Sequence, residues 1–271
     1  MTTTVHQQGD IDSAMLPYQI EGSGHPLLLI HGWGVTYAVW RHLVPLLAPH
    51  FQLILVELPG MGAAGEYVSE EPYYMACAES LEELRAALGI EQWAMLAYST
   101  GTRAGEAYMQ RYPQRVERAV FLCPLYLRRA WKIALDIEQW IDSWSSRLSS
   151  WILSGWRLHH LLIAFGFNLQ SHGYVYEWLR EMALQPPASL KRTLLELPGK
   201  GRAPFILPDT APVPILFVWG RHDALVSLPV HLQSRDVVIV ANHSAPVLNP
   251  HGVAAVVVPF LKSVYSQLVA V

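Results

Sequence analysis

Short apolar runs alternate with longer amphipathic segments along most of the chain, and this alternation limits the possible folds more than any other feature. Strands that are buried on both faces of a parallel sheet carry such continuous apolar runs. The predicted strands are Leu27–His31, Phe51–Glu57, Trp93–Tyr98, Arg118–Leu122, Ile215–Trp219 and Asp236–Val240. The predicted helices lie near Val39–Ala48, Glu70–Leu88, Thr100–Tyr112, Leu225–Ser234 and Pro250–Leu268. The pattern therefore predicts an α/β fold in which a mostly parallel, doubly wound sheet has helices on both faces.

The interval 124–205 interrupts this alternation, because it contains no convincing strand. Six of the chain's ten tryptophans lie in it, namely Trp131, Trp140, Trp144, Trp151, Trp156 and Trp178. The stretch 126–202 carries ten Lys/Arg and six Asp/Glu, a net charge of +4, whereas the rest of the chain has a net charge of −7. We predict a helical cap at 124–205, inserted into a core built from 1–123 and 206–271. Its positive charge fits either a solvated helical surface or a docking face for an acidic partner.

Composition excludes several other classes of protein. A chain of 271 residues, of which 52% are hydrophobic, can bury a large core, and its net charge of −3 does not favour nucleic acid as a partner. The N-terminal residues MTTTVHQQGD do not resemble a signal peptide, and no uninterrupted apolar run reaches the roughly 18 residues of a membrane span. The two cysteines, Cys77 and Cys123, form neither a disulfide framework nor a metal-binding spacing. We therefore expect a cytoplasmic protein without a metal.

The stretch Gly60–Gly65 has the glycine spacing of a dinucleotide-binding loop, G-x-G-x-x-G. Such a loop must open directly into a helix. Here Pro59 precedes the glycines, and the residues EYVSEEP that follow are typical of a loop. No nucleotide or other cofactor is therefore predicted.

A serine suited to nucleophilic catalysis lies where a predicted strand meets a predicted helix. The residues 97–101, AYSTG, resemble the G-x-S-x-G nucleophile elbow, except that Ala97 replaces the first glycine. A sharp turn at this point holds the hydroxyl out toward a carbonyl substrate, and small residues two positions away prevent backbone clashes. We predict Ser99 as the nucleophile and Tyr98 as a residue that contacts the substrate.

Two turns can supply backbone N–H groups for a negatively charged oxygen. The motif HGWG at 31–34 directly follows a predicted strand. A tetrahedral intermediate needs such preorganised donors, and we predict the backbone N–H groups of Trp33 and Thr100 as the oxyanion hole. Trp33 is also expected to contact the substrate, whereas His31 is expected to be structural. The alternative is that the two glycines of this motif only form a turn.

An acid and a base follow the last two predicted strands. Asp223 ends the stretch VWGRHD, and His243 lies in ANHSAP. At the carboxyl edge of a parallel sheet, the carboxylate can orient an imidazole that acts as general base and then acid. The alternative for Asp223 is a helix N-cap. The alternative base is His251, which we place in the first turn of the last helix.

The chain order Ser99, Asp223, His243 and the motifs around these residues resemble the α/β-hydrolase superfamily over essentially the whole length. Within it, the sequences HGWG, PHFQLILVELPGMG and NHSAPVLNPHG, with Trp40, are most similar to the biotin-synthesis esterases that demethylate pimeloyl-acyl-carrier-protein methyl ester. The resemblance implies a carboxylic ester hydrolase that uses a Ser-His-Asp triad and an acyl-enzyme. Two departures from the family pattern are Glu57 in place of Asp and Thr102 where a further Gly is common.

The resemblance also implies an acidic acyl carrier protein as a partner, bound through arginines of the cap. The candidates are Arg128, Arg129, Arg147, Arg157 and Arg180. A small-molecule ester is the other expected substrate. Two alternatives share the motifs: a carbon–carbon bond hydrolase with the same triad, and a non-catalytic receptor of the same fold. A dehalogenase or epoxide hydrolase would need aspartate in place of Ser99, so the sequence argues against both.

Overall fold

The computed structural model describes residues 15–67, 70–125, 129–148, 181, 185–196, 211 and 213–263. The strands are β1 Tyr18–Gly22, β2 His25–Ile30, β3 Phe51–Val56, β4 Trp93–Tyr98, β5 Val116–Leu122, β6 Ile215–Gly220 and β7 Asp236–Ile239. The α-helices are α1 Val44–Leu47, α2 Tyr73–Ala87, α3 Gly101–Arg111, α4 Arg129–Trp144, α5 Pro187–Leu195, α6 Ala245–Leu248 and α7 Pro250–Lys262. Short 3₁₀ turns occur at Tyr37–Trp40, Gly62–Ala64 and Pro113–Arg115.

The seven strands form one sheet in the order β1-β3-β2-β4-β5-β6-β7. All neighbouring pairs are parallel except β1 and β3, which are antiparallel. The prediction of a mostly parallel α/β sheet is therefore confirmed, and all six predicted strands are present. The edge strand β1 was not predicted, because its residues YQIEG are partly exposed and carry no apolar run.

Side chains that alternate along the central strands pack on opposite faces of the sheet. On one face, Leu28, Met95 and Phe121 form a cluster with residues of α2 and α3. On the other face, Leu29 and Val120 form a cluster with residues of α7. Each fully buried Leu or Phe side chain contributes roughly 1.5–3 kcal/mol, so the two clusters hold the strands in register. This packing brings the carboxyl ends of the parallel strands to one edge, where ligands of open α/β sheets bind.

The helix predicted at Leu225–Ser234 is wrong. Between β6 and β7 the chain forms turns and extended loop instead. Val230 is 92% exposed and Leu232 is 52% exposed, so the apolar residues of this segment do not form a buried helical face. Pro229 in the middle of the segment also removes a helical donor.

The helix predicted at Val39–Ala48 is divided into a 3₁₀ turn at Tyr37–Trp40 and the short helix α1. Pro45 lies in the first turn of α1, where its missing N–H is tolerated, and it cannot continue a helix that enters from residue 41. The last predicted helix is present as α7, and the remainder of its predicted range lies outside the described residues.

Within the interval 124–205, the described residues form α4 and α5 and contain no strand. Much of the interval lies outside the described residues, so the boundaries 124–205 stay a prediction. In α4 the tryptophans Trp140 and Trp144 are 62% and 79% exposed. No helix in the described ranges is long and apolar enough to cross a bilayer.

Candidate active site

Ser99 occupies the turn between β4 and α3 with a backbone φ of 53°, in the left-handed region. Non-glycine residues avoid this region unless the surrounding structure enforces it, and such strain concentrates at functional sites. Here the Ser99 N–H donates to the Leu122 carbonyl at 3.0 Å. A Cβ atom on Gly101 would collide with the His31 carbonyl and lie 2.8 Å from the Ile30 carbonyl oxygen. Close packing of α3 on the end of β2 therefore requires glycine at position 101.

Ala97 replaces the first glycine of the elbow motif without disturbing this turn. Its side chain is fully buried, and it faces Gly105 on α3, where an added Cβ would lie 3.4 Å from the Ala97 Cβ. Because position 105 has no side chain, the extra methyl group of Ala97 has room. Thr102, which stands where a further glycine is common, is also buried and donates its hydroxyl to the Ser99 carbonyl at 2.6 Å.

The structure brings the three predicted triad residues together. Ser99 Oγ lies 2.8 Å from His243 Nε2, and His243 Nδ1 lies 2.7 Å from Asp223 Oδ2. All three side chains are buried. An ionised carboxylate only accepts, so it fixes the proton on Nδ1 and leaves Nε2 free to accept from the serine hydroxyl. The alternative base, His251, lies in the first turn of α7 and is exposed.

Asp223 is held as a carboxylate by its surroundings. Burial acts to raise the pKa of this carboxyl, but the adjacent His243 and the hydrogen bonds that it accepts hold the pKa below its ordinary value. Asp223 Oδ1 accepts from the backbone N–H groups of Leu225 at 2.8 Å and Val226 at 2.9 Å. These bonds resemble an N-cap, although no helix follows, and they orient Oδ2 toward the imidazole.

The two predicted oxyanion donors both lie close to Ser99. Thr100 directly precedes α3, and Trp33 lies in the loop after β2. Within the described part of the chain, neither backbone N–H donates to a protein acceptor. A Cβ added to Gly32 would lie 3.0 Å from Ser99 Cβ, so this loop packs directly against Ser99. The unused N–H group of Thr100 lies at a helix start, which favours a negatively charged ligand.

His31 links the loop after β2, which carries the HGWG motif at 31–34, to the loop after β3. Its Nδ1–H donates to the Gly32 carbonyl at 2.8 Å, and its Nε2 accepts from the Leu58 N–H at 3.0 Å. The ring is completely buried, and this burial lowers its pKa to about 4 against the counteracting bond to Gly32. His31 therefore stays neutral above that pH, with one donor and one acceptor, as its two bonds require.

We expect the buried His31 to make the protein less stable in acid. The unfolded chain takes up a proton at His31 near its ordinary pKa of 6.5, whereas the native ring resists protonation down to about 4. The free energy of unfolding should therefore fall as the pH drops through this window, by up to about 3 kcal/mol. Urea denaturation of wild type and His31→Gln at several pH values measures the difference in slope. The same change at the exposed His231 should leave the slope unchanged, and equal slopes for all three proteins would contradict the prediction.

Tyr98 and Cys123 are buried neighbours of His243 and Asp223. The Tyr98 ring is 1% exposed, and its hydroxyl donates to the His243 carbonyl at 2.8 Å. It thus stabilises the loop that carries His243, and the predicted contact of Tyr98 with substrate stays a prediction. Cys123 follows β5 with a φ of 45° and is fully buried. Burial and the Asp223 charge raise the pKa of its thiol.

The position of Cys123 beside Asp223 and His243 was not predicted, although Cys123 follows a strand as Ser99, Asp223 and His243 do. Cys123, Asp223 and His243 each place one possible metal-ligand atom within 4.8 Å of the others, and they are the only such group among the described residues. Asp223 and His243 are already bonded to each other, and the thiol stays protonated. We therefore interpret Asp223 and His243 as hydrogen-bonding partners of each other and not as metal ligands.

The arginines predicted to bind a carrier protein are only partly covered by the structure. Arg147 is exposed. Arg129 begins α4, but its side chain is outside what the structure describes. Arg128, Arg157 and Arg180 lie outside the described residues.

A sheet of this topology with a serine elbow at its carboxyl edge defines an α/β hydrolase. The chain belongs to the α/β hydrolase fold family, whose model matches residues 25–238. Among solved structures, a thermophilic esterase from Thermogutta terrifontis superposes with a TM-score of 0.75 at 18% identity, covering 97% of this chain and 99% of that one. At this identity the likeness supports the fold alone.

Curated relatives are similar at higher identity. The pimeloyl-[acyl-carrier protein] methyl ester esterase of Aeromonas hydrophila is 27% identical over 257 residues, spanning 84% of this chain and 91% of that protein. The protein of the same name from Photobacterium profundum is 35% identical over 109 residues, which is 39% of each chain. A soluble epoxide hydrolase from Corynebacterium sp. is 32% identical over 127 residues, covering 45% of this chain and 42% of that protein. The last two matches therefore span less than half of the relatives' length.

Proposed function

We propose that this chain, an α/β hydrolase of the carboxylesterase type, cleaves esters with Ser99 as nucleophile, His243 as base and Asp223 as its orienting carboxylate. The observation that carries the proposal is the buried chain of two hydrogen bonds, 2.8 Å from Ser99 Oγ to His243 Nε2 and 2.7 Å from His243 Nδ1 to Asp223 Oδ2. A serine at the elbow, rather than an aspartate, favours an acyl-enzyme over the chemistry of the epoxide hydrolase relative.

In the proposed mechanism, Ser99 Oγ attacks the ester carbonyl carbon while His243 Nε2 takes the hydroxyl proton. The carbonyl oxygen becomes negatively charged and accepts hydrogen bonds from the backbone N–H groups of Trp33 and Thr100. As this intermediate collapses, His243 returns the proton to the leaving alkoxide, and an alcohol departs. Water then attacks the acyl-enzyme, with His243 again as base, and releases the acid.

We further infer an apolar acyl ester as substrate, such as a pimeloyl-acyl-carrier-protein methyl ester. The names of the Aeromonas hydrophila and Photobacterium profundum relatives support this substrate. The net charge of +4 over residues 126–202 is of the sign that would attract an acidic carrier protein. Among the arginines predicted to bind a carrier protein, Arg147 is the one whose side chain the structure describes, and it is exposed.

An ester panel tests this proposal. We expect labelling of wild type at Ser99 by a fluorophosphonate, and hydrolysis of methyl esters of varied acyl length with a higher kcat/KM when the acyl group is attached to a carrier protein. A β-diketone is included as a carbon–carbon substrate. Absence of labelling would favour a receptor, faster cleavage of the diketone would favour a carbon–carbon hydrolase, and equal rates with and without the carrier would contradict the carrier-linked substrate.

Charge reversal at Arg147 tests docking through the cap. Arg147→Glu should lower kcat/KM for the carrier-linked ester about two- to fivefold, as expected for one exposed charge pair, and leave the free methyl ester unaffected. The control is Lys262→Glu, which makes the same change of charge at an exposed position on α7. An equal effect of the two variants would mean that only net charge matters.

A further inference from the structure

The segment 185–196, which contains α5, is attached to the core by side chains that accept backbone hydrogen bonds. Gln185 Oε1 accepts from the Gly62 N–H at 2.6 Å, and Ser189 Oγ accepts from the Tyr67 N–H at 3.0 Å. Gln185 is 2% exposed and Ser189 is completely buried. Buried polar groups that find partners in this way fix the relative position of two segments, because breaking each bond leaves an unpaired group.

Packing between segment 185–196 and the loop after β3 is equally close. A Cβ atom on Gly60 would lie 2.9 Å from Ser189 Cβ. The Arg192 guanidinium lies 4.6 Å from the Tyr67 ring centre, and its Nη2 donates to the Glu71 carbonyl at 3.2 Å. These contacts make the segment a fixed part of the core, although the sequence places it within the predicted cap.

The same segment also contacts the loop after β2. The indole Nε1–H of Trp33 donates to the Leu190 carbonyl on α5 at 2.9 Å. Trp33 stands between two glycines, Gly32 and Gly34, and Gly34 has a φ of 71°. Glycines offer no side chain to hold the loop and have the largest conformational freedom. His31 holds the Gly32–Trp33 peptide group at the Gly32 carbonyl, and the indole bond to Leu190 is the second side-chain anchor, on the Trp33 side of the same peptide group.

We infer that the hydrogen bond from the Trp33 indole to Leu190 holds the Trp33 backbone N–H in place for the oxyanion, so that segment 185–196 supports catalysis without touching the substrate. The indole is thus a positioning group. This inference rests on the proposed function, because it needs a developing oxyanion. It also predicts that loss of the bond lowers kcat more than it changes KM. The reason is that a misplaced donor weakens binding of the transition state more than binding of the substrate.

The test removes the indole N–H and keeps an aromatic ring. Trp33→Phe should lower kcat about three- to tenfold, the range for one neutral hydrogen bond, with little change in KM. Affinity for a boronic acid that mimics the tetrahedral intermediate should fall by the same factor. Replacement of Trp33 by benzothienylalanine, which has sulfur in place of the N–H and the same ring shape, should have the same effect even where the Phe variant folds poorly.

The matched control is Trp93→Phe. Trp93 begins β4, at the end of the strand that is opposite to Ser99. Trp93 Nε1 is buried and has no hydrogen-bond partner among the described residues, so its loss should leave kcat and boronate affinity unchanged. Unchanged kcat in both Trp33 variants, or a loss that appears only in KM, would overturn the inference. Fluorophosphonate labelling of wild type at Ser99 is independent of this outcome, and it separates failure of the inference from failure of the proposed function.

Discussion

Replacing Ser99 by alanine is expected to lower kcat for a short p-nitrophenyl ester by at least about 10⁴-fold. The variant loses the atom that forms the acyl-enzyme, and no other hydroxyl among the described residues is hydrogen-bonded to His243 Nε2. The left-handed backbone at this position is tolerated by a small residue that the surrounding bonds hold in place, so the fold should survive. Steady-state kinetics measures the loss, and circular dichroism with thermal denaturation verifies folding.

Ser244→Ala provides the control for Ser99→Ala. Ser244 is 2% exposed, and its Oγ has no hydrogen-bond partner among the described residues. Removing this hydroxyl deletes the same atom from a buried serine next to His243 without breaking a hydrogen bond, so kcat should change less than about twofold. Residual activity above a tenth of wild type in Ser99→Ala would contradict the assignment of the nucleophile.

The arrangement of the sheet was predictable because each central strand is buried on both faces. In β4 every residue from Trp93 to Tyr98 is at most 1% exposed, and only an uninterrupted apolar run satisfies that burial. The edge strand β1 has no such requirement, since one side faces solvent, and its polar residues gave no pattern to detect. Antiparallel pairing with β3, a strand about 30 to 40 residues away in the sequence, decides its structure instead.

The helix predicted at 225–234 is absent because its residues are not buried as the prediction requires. Its apolar residues have a spacing compatible with a helix, but periodicity predicts a helix only when a core surface is available to bury that face. The Asp223 carboxylate accepts from the N–H groups of Leu225 and Val226 as an N-cap would, so these bonds do not prevent a helix. The exposure of Val230 and Leu232 and the proline at position 229 account for its absence.

The proximity of the three triad residues was predictable, because parallel strands bring their carboxyl ends to one edge of the sheet. That rule placed Ser99, Asp223 and His243 near one another without any knowledge of side-chain geometry. It could not supply the contact between Trp33 and Leu190, which joins residues 157 positions apart, or the position of Cys123. Contacts of this kind depend on how the segment 185–196 packs against the core. The amino-acid composition of the segment does not predict this packing.

Asp223→Asn is expected to lower kcat by about 10⁴-fold while leaving the fold intact. In wild type, Asp223 Oδ1 accepts from two backbone N–H groups, and Oδ2 faces His243 Nδ1 at 2.7 Å. The asparagine oxygen must occupy the Oδ1 position to keep both of those bonds, which places its amide nitrogen against the imidazole. Because that nitrogen donates, the histidine proton moves from Nδ1 to Nε2. Nε2 then donates to Ser99 and can no longer accept its proton.

Asp236→Asn is the control for Asp223→Asn. It also replaces a carboxylate by an amide, but it cannot change the tautomer of His243. Asp236 begins β7 at the far end of the sheet, where Oδ1 accepts from the Trp219 indole at 2.8 Å and Oδ2 from the Gln233 N–H at 2.8 Å. Its replacement should change kcat less than about twofold, because surface substitutions far from the site have small effects. ¹⁵N chemical shifts of the His243 ring report the proton position directly, and they should show an Nε2–H tautomer in Asp223→Asn alone. The contrary result would be an Nδ1–H tautomer in Asp223→Asn, with kcat within about tenfold of wild type. It would mean that Asp223 does not determine which nitrogen of His243 carries the proton, which is the role inferred for this carboxylate.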